Sequence, residues 1–188
     1  MKKTQEKYWR WEKMAVVDEF TIQGITCFDR ERDLVVIKPD DYVDYDEFSY
    51  MAGTKFTDQL NHEWDEQLTL NKRFASCFED LQDRGVTLRP VELQLEKGKE
   101  DNDTWLHVSV VGRVLGIDYQ QSEYTMEEYG KGIESIEKLV LNREHIERSG
   151  MHIFRLYHCQ EWIIVSDTLK QKLQALNING MRFLPIDG

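Results

Sequence analysis

The C-terminal stretch from His152 to Ile186 constrains the fold most. Ile163-Ile164-Val165 is a β-branched run suited to a buried strand. Ser166 ends it and is a good N-cap, because its hydroxyl accepts from a free N–H of the first helical turn. Asp167 follows at the positive end of the helix. Leu169, Leu173 and Leu176 recur at i, i+4 and i+7, which predicts one apolar stripe facing a core. Asn179-Gly180 is expected to stop the helix, since glycine adopts the left-handed conformation without a Cβ penalty. Met181 to Pro185 then reads as a closing strand.

The pattern occurs once more, at about 70–91 against 165–186. Leu70-Asn71 matches Val165-Ser166, and Phe74, Phe78 and Leu81 match the three leucines. Gly85 matches Gly180, and Pro90-Val91 matches Pro185-Ile186. A duplicated helix–strand unit and two independent capped helices both account for this. Strands outnumber helices and do not alternate with them, which predicts an α+β fold: a mainly antiparallel sheet with a few packed helices.

Elsewhere the pattern is less regular. Residues 8–17 alternate aromatic and charged groups and read as an edge strand or an irregular extended segment. Leu34 to Ile37 reads as a strand, and Gly53 to Leu68 as a polar connection. Trp105 to Val111 is a strand that Gly112-Arg113 would turn into a hairpin with Val114 to Tyr119. Ile133 to Asn142 leans to strand, and Arg143 to Ser149 is short and polar before Gly150.

At 188 residues, with 40% hydrophobic content and five tryptophans, the chain has enough apolar mass for a real core. No apolar run approaches the ~20 residues of a membrane span, and the N-terminus lacks the apolar centre of a signal peptide. Cys27, Cys77 and Cys159 are odd in number and widely spaced, which predicts free thiols in a reducing cytoplasm. The net charge of −11 is uneven: Asp29 to Glu66 holds twelve acidic and four basic residues. Such a chain is not expected to grip a nucleic-acid backbone, which demands a basic face. It suits a basic protein partner.

The chemistry-bearing residues form no familiar signature. There is no phosphate-binding glycine loop, dinucleotide fingerprint, Cys-x-x-Cys pair or His-Glu-x-x-His. His152 and His158, if on one strand, would stand about 20 Å apart and cannot share a metal ion. Cys159 with His107 or His145 as base is a nominal nucleophile pair, but nothing in the spacing unites them. Asp118 stands at a strand end, where turn capping competes with a catalytic role. No cofactor or metal is expected. The exception is Asp40 to Tyr50, which mixes five acids with four aromatics and has no clear period, so that a loop is expected. Tyrosine gives large contact area at low entropy cost, so Asp40, Asp41, Tyr42, Asp44, Tyr45, Asp46, Glu47 and Tyr50 are the candidate partner-binding residues.

Ile153 to Leu156, Ile163 to Ser166, Leu169-Lys170 and Ile178 to Pro185, taken in order, resemble a bacterial immunity-protein family of polymorphic toxin systems, formerly a domain of unknown function. The resemblance covers about residues 65–188 and includes the capped helix near Asn71–Leu81, the Leu88–Pro90 strand and the Ile117-Asp118 strand end. It implies a cytoplasmic protein that binds and blocks a cognate toxin and has no chemistry of its own. Residues 1–64 lie outside it and are expected to form an N-terminal lobe carrying the partner-specific surface, or to join 65–188 in one domain. The competing readings are an enzyme with a cleft near Asp118 and a secretion-system adaptor.

Overall fold

The computed structural model describes residues 6–14, 21–25, 47–52, 57–59, 61–62, 68–94, 105–128 and 132–186. Their strands are β1 (Tyr8–Lys13), β2 (Thr21–Ile25), β3 (Glu47–Ala52), β4 (Asn61–His62), β5 (Leu68–Asn71), β6 (Val86–Gln94) and β7 (Trp105–Val110). They continue as β8 (Arg113–Val114), β9 (Glu123–Met126), β10 (Ile133–Lys138), β11 (Ile153–Leu156), β12 (Cys159–Ser166) and β13 (Met181–Pro185). The α-helices are α1 (Arg143–Ser149) and α2 (Asp167–Ala175). One sheet runs β13-β1-β12-β11-β8, a second runs β4-β2-β3-β6-β7-β5, and β9 and β10 form a separate ribbon. Most pairings are antiparallel; β2–β4, β3–β6 and β8–β11 are parallel. The expected α+β class with mainly antiparallel sheets therefore matches.

The run Ile163-Ile164-Val165 lies on β12, between β1 and β11. Side chains alternate across a strand, so Ile163 and Val165 enter one apolar cluster and Ile164 the other. All three are at most 4% exposed, which explains why the run carries no polar alternation. The first cluster joins this face to Leu68, Leu70, Phe74, Phe78, Val86 and Val108 from the second sheet and its helical turns. The other cluster holds Tyr8, Phe154 and Leu156 against Ile117, Leu141 and Ile146.

Ser166 caps α2 as its hydroxyl predicts: Oγ accepts from the Leu169 N–H at 3.2 Å. Leu169 and Leu173 are buried, but Leu176 is 36% exposed and only closes the helix. The apolar stripe thus ends one turn early, and partly buried Ile178 packs on the core beyond it. The first left-handed residue after the helix is Asn177, with φ of 53°, not Gly180, which takes φ of 79° in the turn before β13. Leu173→Ala is expected to cost about 3 kcal/mol, seen as a lower urea midpoint with an unchanged slope.

The segment expected to be the first helix is two 3₁₀ turns, Lys72–Cys77 and Glu79–Arg84, broken at Phe78. A three-residue period eclipses Phe74 and Cys77, and both are buried on the core. Asn71 caps the first turn from its side chain, and Gly85 closes the second at φ of 89°. The two similar sequence units thus share cap, helical turns, left-handed glycine and strand. They differ in helix type, and β6 and β13 lie in different sheets.

Three further expectations are corrected. β1 is not an edge strand: it pairs with β12 on one side and β13 on the other. Its aromatics serve both faces, Trp11 in one cluster and Tyr8 in the other. The predicted hairpin after β7 does not form. Gly85 O accepts from the N–H groups of Val111 and Gly112 at 3.0 and 2.9 Å, and Gly112 O accepts from Arg155 at 2.8 Å. The chain therefore leaves the second sheet at Gly112 and enters the first as β8, parallel to β11. Arg143 to Ser149, read only as short and polar, is α1, capped by the Asn142 side chain and anchored by fully buried Ile146. The Leu34–Ile37 strand lies outside the described residues.

A polar lock ties the two halves of the chain. Asp58, 8% exposed, accepts from Arg73 Nε and Nη2 at 3.0 and 2.6 Å and from the Asn179 N–H at 2.9 Å. Arg73 also donates to the Leu176 carbonyl beyond α2.

Candidate functional site

The residues that carry reactive chemistry are dispersed. Asp118 Oδ1 accepts from the N–H groups of Gln120 and Gln121 at 3.0 and 3.2 Å, the pattern of a turn-capping aspartate. His107 is buried on β7 beside the second sheet's core. His145 lies on exposed α1 with Nδ1 2.9 Å from the Leu115 carbonyl oxygen. His152 Nδ1 is 2.8 Å from the Ser166 hydroxyl. His152 and His158 do not share a strand: β11 spans Ile153–Leu156, and His158 lies in the turn after it. Among the described residues no three His, Cys, Asp or Glu side chains gather as a metal site.

Neither Cys77 nor Cys159 forms a disulfide, and both are buried; Cys27 lies outside the described residues. Burial pushes the Cys77 thiol above its usual value, with Lys172 pulling weakly the other way. Thiolate is the reactive form, so Cys77 is poorly nucleophilic at neutral pH. Reductant is expected to leave the melting temperature unchanged, and alkylation of Cys77 at pH 7 to become fast only in denaturant. A melting temperature that falls with reductant would reveal a cross-link that restricts the unfolded chain.

Of the acidic–aromatic segment, Asp40, Asp41, Tyr42, Asp44, Tyr45 and Asp46 lie outside the described residues. Glu47 and Tyr50 belong to β3, where a loop was expected. Their backbones pair opposite Ile25 and Ile22 of β2, and Glu47 also lies beside Glu92 of β6. A strand there fits Phe48 and Tyr50, since aromatic residues are enriched in strands.

A second aromatic group is assembled by the fold alone. Tyr119 and Tyr124 meet edge to face at 5.4 Å, and Tyr157 and His158 at 5.0 Å. The Tyr119 hydroxyl lies 2.5 Å from His158 Nδ1. Burial, with smaller contributions from Tyr124 and Cys159, raises the Tyr119 phenol above its usual value, which keeps it protonated at neutral pH. The cluster sits where the β9–β10 ribbon meets the β11–β12 turn; the His158 carbonyl accepts from the Ile133 N–H at 2.9 Å. Between them lies a cleft of about 210 Å³ lined by Ile133, Tyr157, His158 and Cys159 together with Glu127 and Glu161. No spacing rule would unite Tyr119, Tyr124 and Tyr157; their only sequence signal is large aromatics in polar surroundings.

The fold is α+β, with Tyr119 and Tyr157 exposed at one end of the first sheet's β11–β12 turn region. Over residues 30–188 the chain matches the profile of the immunity protein family (Imm11), and it belongs to that family. The match reaches back to residue 30, upstream of the motifs that carried the resemblance from about residue 65. No curated protein matches the chain. No helix among the described residues is long and apolar enough to cross a membrane.

Proposed function

We propose that this chain binds and neutralises a cognate antibacterial toxin in the cytoplasm, by occupying the toxin's surface and without catalysis of its own. Membership of the immunity protein family is the observation that carries this reading. We assign toxin capture to the segment from Asp40 to Tyr50, in which five acids surround four aromatics. Charge of one sign draws a basic partner over distance and raises the association rate, while desolvated tyrosines slow its escape. In this reading the partner-specific surface lies within residues 1–64, of which 30–64 fall inside the family match, and β1 is built into the first sheet.

The test is co-expression with the toxin encoded by the adjoining gene: the intact chain rescues growth and binds the toxin domain. Changing Asp40, Asp41, Asp44 and Asp46 together to Asn is expected to slow association about tenfold at low salt and flatten its salt dependence. Tyr45→Ala is expected to cost about 2 kcal/mol, almost all as faster dissociation. Circular dichroism reports that both variants are folded. Parental binding and protection by both would move the interface away from this segment.

A further inference from the structure

We propose that the cleft between the β9–β10 ribbon and the β11–β12 turn is a second contact, receiving a basic side chain of the toxin. This rests on the toxin-binding reading but on different residues. Tyr157 is 50% exposed, although it lies directly after the buried strand β11, so its ring is presented rather than packed. Leu115 and Tyr119 nearby are 55% and 36% exposed. An exposed aromatic group of this kind marks an interaction site more often than a lone apolar residue does.

Charge selects the occupant. Residues 115–138 and 157–161 contain seven acids against two lysines. Among the described residues neither Glu127 nor Glu161 has a basic partner within ion-pair distance. The nearby Arg155 guanidinium is engaged with the Gln160 carbonyl. Glu127 lies close against Gly132: a Cβ on Gly132 would stand 3.0 Å from the Glu127 carboxylate. A guanidinium entering the cleft meets the Tyr157 ring for a cation–π contact and the lining carboxylates for charge-assisted hydrogen bonds. The chain already uses such contacts elsewhere, with Arg10 4.2 Å over the ring of Trp162 and Lys170 3.0 Å over that of Trp9.

The probe is the purified toxin domain from the adjoining gene, titrated against the full chain. Tyr157→Ala and the Glu127→Gln/Glu161→Gln pair are each expected to raise Kd about tenfold or more, with circular dichroism unchanged. Tyr157→Phe keeps the ring face and is expected to bind like the parent. One Arg→Ala or Lys→Ala variant of the toxin should show the same loss, with no further loss when combined with Tyr157→Ala. Parental Kd in both cleft variants, with the parent binding tightly, overturns this site and leaves the proposed function standing. Failure of the parent to bind overturns both. A concentration-dependent dimer abolished by Tyr157→Ala would assign the cleft to a second copy of this chain and overturn the toxin contact.

Discussion

Replacing Trp11 with alanine is expected to destabilise the protein by about 4 kcal/mol, the largest effect of any single truncation proposed for this fold. Trp11 is 5% exposed on a strand flanked on both sides. Its ring meets Phe183 edge to face at 5.4 Å and Phe78 at 6.5 Å, so it joins β13 to the helical turns of the second sheet. Its indole N–H donates to Gln59 Oε1 at 2.8 Å in a buried hydrogen bond. Alanine leaves a cavity and a buried amide oxygen without its donor. Trp11→Phe keeps most of the packing and should lose only about 1–2 kcal/mol, for the unmatched amide. Equilibrium urea unfolding followed by far-UV circular dichroism separates the two. A Trp11→Ala midpoint equal to the parent's would mean that β1 is not inserted in the sheet.

Gly85→Ala is expected to cost about 3 kcal/mol, and it has an internal control. Gly85 and Gly150 both have left-handed backbones, with φ of 89° and 65°. An added Cβ at Gly150 meets nothing within 4 Å, so Gly150→Ala should show only the conformational penalty, about 1 kcal/mol. At Gly85 the same atom would stand 2.7 Å from the Gly112 Cα, a backbone atom with no rotamer to yield. The two segments would have to separate where Gly85 O accepts from Val111 and Gly112, which adds about 2 kcal/mol. Equal losses in the two variants, by thermal or urea unfolding, would show that the strands are not so closely apposed.

These two sites also show what could be read from residue order. The capped helix at 167–175 was legible because its signals are local: a Ser hydroxyl, an acid in the first turn and leucines four apart. The buried strand at 163–165 was legible from its β-branched run. Trp11 was not, because Tyr8 to Glu12 alternates in the manner of an exposed edge. Its charges are accommodated by local pairing, Arg10 with Glu12 and Glu12 with Arg182 on β13, and that partner lies 170 residues away. Gly112 reads as a hairpin turn, and only its approach to Gly85 diverts the chain into the other sheet. For the candidate site, the Asp40–Tyr50 segment stands out in composition, whereas the Tyr157 cleft depends on a ribbon and a turn brought together in space.

The strand order β13-β1-β12 also governs when the protein can exist. β1 is made well before its partners, since Tyr8 pairs with Ser166 and Lys13 with Met181. At ordinary translation rates the interval between them is on the order of 10 s. During that time both edges of β1 lack their sheet partners, and Tyr8 and Trp11 lack much of their core. Contacts of such long sequence separation close large loops before they gain packing energy, so the last step should be slow even once the chain is complete. The five-stranded sheet closes only when β13 docks, and a nascent chain cut before Met181 has no native neighbour for that side of β1.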